Sequence, residues 1–312
     1  MSDCASFPEA PQHTPCFGVI AFKKSARIRS VLQRIENWGR QCGPAIRYHP
    51  FLAPIAPEHG AVCTSTDAFI EQCSVFVSIG GDGTFLSTAH LCMFSKKPLV
   101  GVNLGGMGFL TGISVEHLER DLERIRNGQV RAVKRRILKA SLHRADNGAG
   151  PTLYALNDLF INRVDKPKLA SISVWYADEF VNEFQSDGII VATPAGSTAY
   201  SLAAGGPILD PGVDAYVLTP ICPHSLSERP LILPSTHPLR IVINDRNPAL
   251  LLSADGLVSE MLKPQDEIRI QYDDNNHACL IQLAESGFIE SLRSKLGWGI
   301  KHTSRGHRKH DP

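Results

Sequence analysis

The sequence has 312 residues, of which 43% are hydrophobic and 20% are charged, a composition typical of a folded protein and unlike that of a disordered chain. Because 32 Lys and Arg residues balance 31 Asp and Glu residues, the net charge of +1 excludes a broad basic field for nucleic acid or an anionic membrane. The length favours two domains, since a single hydrophobic core stops growing at about 250 to 300 residues.

The sequence shows no sign of export or of a membrane anchor. Its eight cysteines have neither CxxC spacing nor the density of a small secreted framework, so they are predicted to be reduced thiols. The longest apolar stretches fall short of the roughly 18 to 20 residues that cross a bilayer. Residues 1–16 lack the apolar segment of a secretory signal. We therefore expect a cytoplasmic protein.

Residues 17–129 are predicted to form an α/β domain behind a flexible tail at 1–16. Short apolar runs alternate with stretches of helical spacing, and two of the runs lead directly into glycines. The predicted strands lie at 17–22, 74–79 and 98–102, and the predicted helices lie at 25–39 and 115–127. This alternation predicts a Rossmann-like parallel sheet with glycine-rich turns, whose ligands bind at the carboxyl ends of the strands.

The pattern changes at about residue 130, where turn residues begin to separate runs of alternating polar and apolar side chains. Residues 130–285 are therefore predicted to form a β-rich, β-sandwich-like domain. Helical spacing returns near the end of the chain, and we expect a helix at 286–300 that packs back on the first domain. The basic residues at 301–312 are interpreted as a flexible solvated tail, with contact to nucleic acid as the alternative.

The sharpest local signal is the sequence Gly-Gly-Asp-Gly-Thr at 80–84, directly after a predicted strand. Glycines here would let backbone N–H groups turn toward an anion, because glycine tolerates positive φ and carries no Cβ. The carboxylate of Asp82 has two uses in such a turn: it accepts a proton from an attacking hydroxyl, or it holds the cation of a triphosphate. The alternative is an ordinary Asp-Gly turn in which Asp82 caps a helix.

A second glycine-rich region spans residues 187–207. It begins as an apolar strand and continues into small and hydroxylated residues, which offer hydrogen-bond donors with little bulk. This composition suits a flat, phosphorylated ligand, and a flexible loop is the alternative.

Two polar residues, Asn157 and Asp158, interrupt an apolar run at 154–161 that is otherwise expected to be one strand. Adjacent polar side chains are costly when they are buried without partners. They are interpreted as residues that bind a vicinal diol such as a ribose. The alternative is a turn at the end of a strand.

These separated motifs, taken together and in order, resemble those of the NAD kinase family. The resemblance runs over residues 17–300. It rests on the segments at 80–84, 103–111, 157–158, 186–207, 219–227 and 295–298. Related lipid kinases and phosphofructokinases carry turns similar to the first segment. The Thr-Pro-x-Gly-Ser-Thr-Ala-Tyr-Ser sequence makes the resemblance specific.

The resemblance implies a two-domain kinase that works as a homodimer or homotetramer. Members of the family transfer a phosphoryl group from ATP, or from another donor such as polyphosphate, to the 2′-hydroxyl of the adenosine ribose of NAD. The residue that matches Asp82 takes the proton from that hydroxyl, and a divalent cation such as Mg²⁺ shields the charge. We therefore expect NADP as the product, no tightly bound organic cofactor, and no nucleic acid or membrane partner.

Site residues follow from the turn and from the resemblance. The phosphates of ATP are expected at the turn residues Gly80, Gly81, Gly83 and Thr84. The resemblance places NAD against Asp82, Gly83, Asn157, Asp158, Lys168, Gln185, Asp187, Thr198, Ala199, Tyr200, Ser201, Leu202 and Ala203. The sequence assigns no metal-ligating residue.

Several positions differ from the usual family pattern. The family usually has Glu where Asp158 stands, often Thr in place of Ala195, and Gln in place of Leu257; Gln185 lacks the basic charge often found at its position. Two alternatives therefore stay open. One is a lipid or sugar kinase that shares the turn at 80–84, and the other is a non-catalytic regulator that binds NAD or NADP.

Overall fold

The computed structural model describes residues 15–105, 108–146, 148–164, 168–245, 247, 249–283 and 287–297. The predicted tails at 1–16 and 301–312 lie outside these ranges, except for Pro15 and Cys16. Within the described ranges, none of the helices combines the length and the apolarity that a membrane span requires.

The first part of the chain forms a parallel sheet flanked by helices. Its strands are β1 (Phe17–Ile20), β2 (Ile46–Tyr48), β3 (Ala61–Val62), β4 (Val75–Gly80), β5 (Pro98–Asn103) and β6 (Ile113–Ser114). Its helices are α1 (Ala26–Cys42), α2 (Thr66–Gln72), α3 (Asp82–Cys92) and α4 (Leu118–Arg126). All neighbours in the order β5-β4-β1-β2-β3 pair in parallel, so their carboxyl ends share one edge. The predicted Rossmann-like α/β architecture is confirmed.

Helix α1 extends beyond the predicted range of 25–39. It begins after Ser25, whose Oγ accepts a hydrogen bond from the amide of Ile28 at 3.2 Å, the usual role of an N-cap serine. Near the other end, buried Trp38 extends the apolar face. The helix stops at Gly43, which has the left-handed φ of 88° that glycine accommodates.

The second part of the chain is almost entirely β-structure. Its strands are β7 (Arg131–Arg144), β8 (Gly148–Ala155), β9 (Asp158–Arg163), β10 (Ala170–Tyr176), β11 (Glu179–Ser186), β12 (Gly188–Ala192), β13 (Ala215–Ile221), β14 (Leu231–Pro234), β15 (Leu239–Ile243), β16 (Leu250–Ala254), β17 (Val258–Leu262) and β18 (Glu267–Gln282). Two helices accompany them, α5 (Tyr200–Ala203) and α6 (Phe288–Leu296).

Two sheets pack face to face in this part. One has the order β14-β13-β12-β9-β16-β17, and the other contains β11-β10-β15-β18 together with β7 and β8. Inward side chains of both sheets, among them Ile161 and Leu252 on one and Ile172 and Ile268 on the other, form one buried apolar core. The predicted β-sandwich-like architecture is therefore confirmed.

A single twelve-stranded sheet runs through both parts. Strand β18 pairs antiparallel with β7 over residues 267–272 and 277–282, with a register shift between Tyr272 and His277. Its last residues pair in parallel with β5, where Cys279 lies opposite Pro98. The domain boundary near residue 130 stays a prediction, because this sheet crosses it.

Helix α6 follows the long last strand and contacts the first part of the chain. Leu292 on its inner face is only 2% exposed. The Nζ atom of Lys295 lies 4.9 Å from the ring centroid of Phe109, in the loop after β5.

Candidate active site

The turn between β4 and α3 lies at the carboxyl edge of the parallel sheet. A Cβ on Gly80 would lie 2.4 Å from Oγ1 of Thr84, so this position has no room for a side chain. Gly81 and Gly83 are exposed, and a Cβ on either would meet nothing within 4 Å. Neither glycine therefore carries a side chain that would block a ligand at the amino end of α3, where backbone N–H groups favour an anion.

The glycines of this turn do not use the positive φ that glycine tolerates. Among the described glycines, those with positive φ do not include Gly80, Gly81 or Gly83. Gly81 is extended, with φ of −110° and ψ of −168°. The physical reason for glycine here is close packing at the first position and open access at the other two.

The side chain of Asp82 is held by the loop after β5. Its Oδ2 accepts a hydrogen bond from the amide of Phe109 at 2.7 Å, and its Oδ1 accepts one from the amide of Leu110 at 3.1 Å. A Cβ on Gly108 would lie 2.6 Å from Oδ1, so only glycine allows this approach. The two amides fix the direction in which the carboxylate points.

A buried carboxylate links this helix to the polar pair in the β-rich part. Oδ1 of Asp255 accepts hydrogen bonds from the amides of Asn157 at 2.8 Å and Asp158 at 3.0 Å, and Oδ2 accepts one from Leu156 at 2.7 Å. Nε2 of His90, on α3, lies 2.7 Å from the same Oδ2. The Asp255 side chain is 0% exposed. Charge-assisted hydrogen bonds of this kind are strong when buried.

The single strand predicted over 154–161 is wrong. Strand β8 ends at Ala155 and β9 begins at Asp158, with a bend between them. The reason is that the amides of 156–158 turn toward the Asp255 carboxylate instead of continuing one ladder. Of the two sequence interpretations, the turn at a strand end describes the backbone here.

The glycine-rich region after β12 packs directly on Asn157. The backbone oxygen of Asn157 accepts a hydrogen bond from the amide of Thr193 at 2.8 Å. A Cβ on Gly196 would lie 2.0 Å from the same oxygen. The side-chain Oδ1 of Asn157 is buried, and no donor reaches it from the described residues. A buried amide oxygen without a partner is uncommon and suits a hydroxyl donated by a ligand.

Asp158 is 3% exposed, and the pKa of its carboxyl is raised. Burial, followed by the neighbouring charge of Asp255, raises the pKa of the Asp158 carboxyl to about 7, while a hydrogen bond from the amide of Tyr200 opposes the rise. The carboxyl therefore changes charge near neutral pH.

Tyr200 stands at the mouth of this group of residues. Its ring is 39% exposed and packs edge-on against Phe160, with 5.2 Å between the ring centroids. Partial burial raises its pKa, with smaller contributions from Cys222, Asp158 and Asp187. A half-exposed aromatic ring bordered by carboxylates can pack against a flat ligand while hydrogen bonds orient it.

Asp187 is paired with Arg163, a residue that sequence reasoning missed. Arg163 Nε lies 3.0 Å from Asp187 Oδ1. The pair forms because β9 and β12 run antiparallel with Gly188 opposite Asn162, so these two residues come next to each other at the strand ends. Only the strand register reveals this contact.

The remaining predicted residues occupy different surroundings. Ser201 is fully buried and its Oγ lies 2.9 Å from Oγ1 of Thr219, whereas Ala203 is exposed and Ala199 and Leu202 are partly exposed. Thr198 Oγ1 donates to the oxygen of Ala195 at 3.3 Å.

Two predicted NAD contacts lie further out in the β-rich part. Lys168 is exposed just before β10, and Gln185 is exposed on β11. The amide Nε2 of Gln185 donates a hydrogen bond to Glu183 Oε1 at 3.0 Å. Their roles toward a ligand stay predictions.

Sequence reasoning also missed His90 and the structural role of Asp255. An Asp-Gly pair at 255–256 between two apolar runs signals a hairpin turn, and Asp255 has the expected left-handed φ of 50°. Nothing in the sequence indicates that its partner is a histidine on α3.

Comparison with known proteins finds one family in both parts of the chain. Residues 49–130 match the model of the ATP-NAD kinase N-terminal domain, and residues 156–282 match that of the ATP-NAD kinase C-terminal domain. The NAD kinase of Koribacter versatilis is 40% identical over 282 residues, covering 90% of this chain and 97% of the relative. That of Solibacter usitatus is 34% identical over 282 residues with the same coverage.

The fold is similar to solved structures of the same kind. The crystal structure of yeast NADH kinase complexed with NADH matches with a TM-score of 0.85 and 25% identity, covering 99% of this chain and 96% of that one. An NAD kinase from Archaeoglobus fulgidus in complex with ATP matches with a TM-score of 0.68 and 22% identity, covering 90% and 97%. The second likeness supports the fold alone.

The link through Asp255 predicts a specific loss of stability. Asp255→Asn keeps a residue that tolerates the left-handed backbone, but its NH₂ group cannot accept the hydrogen bonds that one carboxylate oxygen accepts now. We expect the free energy of unfolding in urea to fall by roughly 2 to 4 kcal/mol, since buried donors lose their acceptor. The control is Leu257→Ala in the same hairpin, which should change it by less than about 0.5 kcal/mol. Equal effects of the two variants would contradict the link.

The raised pKa of Asp158 predicts a pH dependence of stability. Its folded pKa of about 7 lies above the value of roughly 4 in an unfolded chain, so across this window the folded state holds a proton that the unfolded state releases. The free energy of unfolding should therefore fall by a few kcal/mol, at about 1.4 kcal/mol per pKa unit, as pH rises from 4 to 8. Urea unfolding should show a smaller fall for Asp158→Asn, and an identical fall in both proteins would refute the assignment.

Proposed function

The chain belongs to the NAD kinase family, and from this premise we propose how its residues divide the phosphorylation of NAD. Asp82 is the general base, the turn at 80–84 holds the phosphates of ATP, and the Asn157–Asp158 pair holds the ribose that is phosphorylated. One observation carries the proposal. The hydrogen bond between His90 and Asp255 joins the helix that begins at Asp82 to the segment that contains Asn157 and Asp158.

The proposed reaction is an in-line transfer. Asp82 accepts the proton of the adenosine ribose 2′-hydroxyl, and the oxygen forms a bond to the γ-phosphorus of ATP. The bond from that phosphorus to the bridging oxygen of the β-phosphate breaks, and ADP leaves with the bonding electron pair. The products are NADP and ADP. Fixed orientation of the Asp82 carboxylate by two backbone amides supports this role, because a general base must point at the proton it takes.

The phosphates of ATP are proposed to lie over the turn. Gly81 and Gly83 are exposed residues beside Thr84 at the amino end of α3, and their backbone amides can donate to phosphate oxygens. Gly80 packs against Thr84 so closely that no side chain fits there, and this packing holds the turn in place. The arrangement binds an anion mainly through backbone donors.

The ribose is proposed to lie between the two halves of the site. The buried Oδ1 of Asn157 has no donor among the described residues, and a ribose hydroxyl would supply one. The ionised carboxylate of Asp158 can accept a hydrogen bond from the second hydroxyl of the same diol. The shorter side chain of Asp158, where the family usually has Glu, is compatible with this contact because the Asp255 carboxylate holds its backbone amide.

The rest of the dinucleotide is proposed to follow the glycine-rich region. Tyr200 offers a half-exposed ring, and Asp187, held by Arg163, offers a carboxylate to a base or carboxamide. The segment at 198–203 lines this side. Lys168 and Gln185 are proposed to contact the outer end of the dinucleotide.

A divalent cation, Mg²⁺, is proposed to arrive with ATP. The described residues contain no group of three or more His, Cys, Asp or Glu side chains arranged to hold a metal, so the phosphates would supply most of its oxygen ligands. When bound, the cation neutralises charge on the triphosphate.

Oligomeric state and cellular location belong to the same proposal. A homodimer or homotetramer is supported by apolar side chains on the outer strand β14 and the segment before it, where Ile232 is 52% and Leu226 is 86% exposed. A cytoplasmic location is supported by the cysteines within the described ranges, all of which are free thiols.

The proposed role of Asp82 predicts the outcome of one assay. Purified protein with NAD, ATP and Mg²⁺ should form NADP, detected with an NADP-specific dehydrogenase. Asp82→Asn should lower kcat/KM by about 10² to 10⁴-fold, the range that a general base contributes. The matched control is Asp67→Asn, which changes an exposed acidic residue in the first turn of α2 and should leave activity within about twofold.

Three outcomes decide the proposal. Loss of activity in a folded Asp82→Asn with an active control supports the assigned role. Full activity of Asp82→Asn removes it. A folded wild type that forms no NADP with ATP or polyphosphate would leave the lipid or sugar kinase and the non-catalytic regulator as the alternatives.

A further inference from the structure

The last helix places a lysine beside the catalytic carboxylate. Helix α6 is anchored by Leu292, which is 2% exposed, and it ends at Gly297 in a left-handed conformation with φ of 68°. Lys295 lies in its last turn and is partly buried. The helix follows every strand among the described residues, yet its final turn reaches the loop that holds Asp82.

The contact is specific. Nζ of Lys295 lies 4.9 Å from the ring centroid of Phe109, within the range of a cation–π interaction. Phe109 is the residue whose backbone amide donates to Asp82 Oδ2 at 2.7 Å. The ring therefore holds the ammonium group near the loop whose amides orient the Asp82 carboxylate.

The electrostatics of Lys295 suit an interaction with an anion. Burial lowers its pKa, and the negative charge of Asp82 acts in the opposite direction. Among the described residues Lys295 makes no salt bridge, so its positive charge is stabilised by an aromatic ring and by a carboxylate beyond contact distance. A partly desolvated ammonium interacts more strongly with an incoming phosphate than an exposed one does.

We propose that Lys295 is a further catalytic residue, which donates a hydrogen bond from its ammonium group to an oxygen of the γ-phosphoryl group during transfer. The inference rests on the proposed function, since it requires that phosphate to lie beside Asp82. The transfer spreads negative charge over the three oxygens that stay on the moving phosphorus. Lys295 stabilises that charge, and no proton or electron pair moves to it.

The test compares Lys295→Met, Lys295→Arg and the control Arg293→Met, which removes an exposed cation from the same helix. Lys295→Met should lower kcat by about 10² to 10³-fold, as expected for one positioned donor to a developing charge. Its KM for NAD should change by less than about twofold. The kcat of Lys295→Arg should be at least about tenfold higher than that of Lys295→Met, because arginine restores the charge. The kcat of Arg293→Met should match that of the wild type within about twofold.

A binding measurement separates a phosphate contact from a structural role. Calorimetry with ATP and with ADP, both with Mg²⁺ and without NAD, should show that Lys295→Met weakens ATP binding about tenfold more than ADP binding. A lysine that only anchors the helix would affect both nucleotides equally. Equal weakening, or kcat within threefold of wild type for Lys295→Met, would overturn the proposal.

The design also separates the two proposals from each other. If the wild type forms NADP while Lys295→Met is unimpaired, only the role of Lys295 fails. If the wild type forms no NADP but the ATP preference depends on Lys295, the phosphate contact stands and the acceptor assignment fails. Should Lys295→Met not fold, Lys295→Gln keeps a polar tip without charge, and the same calorimetric comparison applies.

Discussion

The carboxylate of Asp255 is the interaction on which the site depends. It is fully buried, and it accepts hydrogen bonds from three backbone amides and from the imidazole of His90. Buried N–H groups have to be paired, so this one side chain determines where the chain between β8 and β9 can bend. Because His90 belongs to the helix that begins at Asp82, the same carboxylate fixes the distance between the phosphate turn and Asp158.

Close approach of backbone and side chains is the second constraint. Gly80, Gly108 and Gly196 each lie where an added Cβ would come within 2.6 Å of an atom of the site or of its support. The atom belongs to Thr84 for Gly80, to Asp82 for Gly108 and to Asn157 for Gly196. The glycine-rich character of the sequence therefore reflects dense packing around the functional groups. Conformational freedom is not the reason at these three positions, since none has a positive φ.

The sequence predicts what depends on local spacing and misses what depends on distant contacts. The parallel α/β part and the β-rich part follow from apolar periodicity, and Asp82 follows from chemistry within five adjacent residues. The sequence offered the break before Asp158 only as an alternative to one continuous strand, because its cause is a carboxylate 97 residues later. His90 and Asp255 are 165 residues apart, and neither has a local pattern that names its partner. Lys295 is likewise set beside Phe109 only by the return of the last helix.

The parallel pairing of β18 with β5 has a consequence for the order in which the protein is made. Chains are synthesised from the amino end, and early parts often fold before later ones exist. The start of β5 at Pro98 and Leu99 finds its neighbours, Cys279 and Leu280, only after about 180 further residues have been made. Until then that edge presents unpaired backbone groups, which are prone to pair with other chains. The sheet that carries Asp82 is thus completed by β18, which is synthesised after every other strand among the described residues.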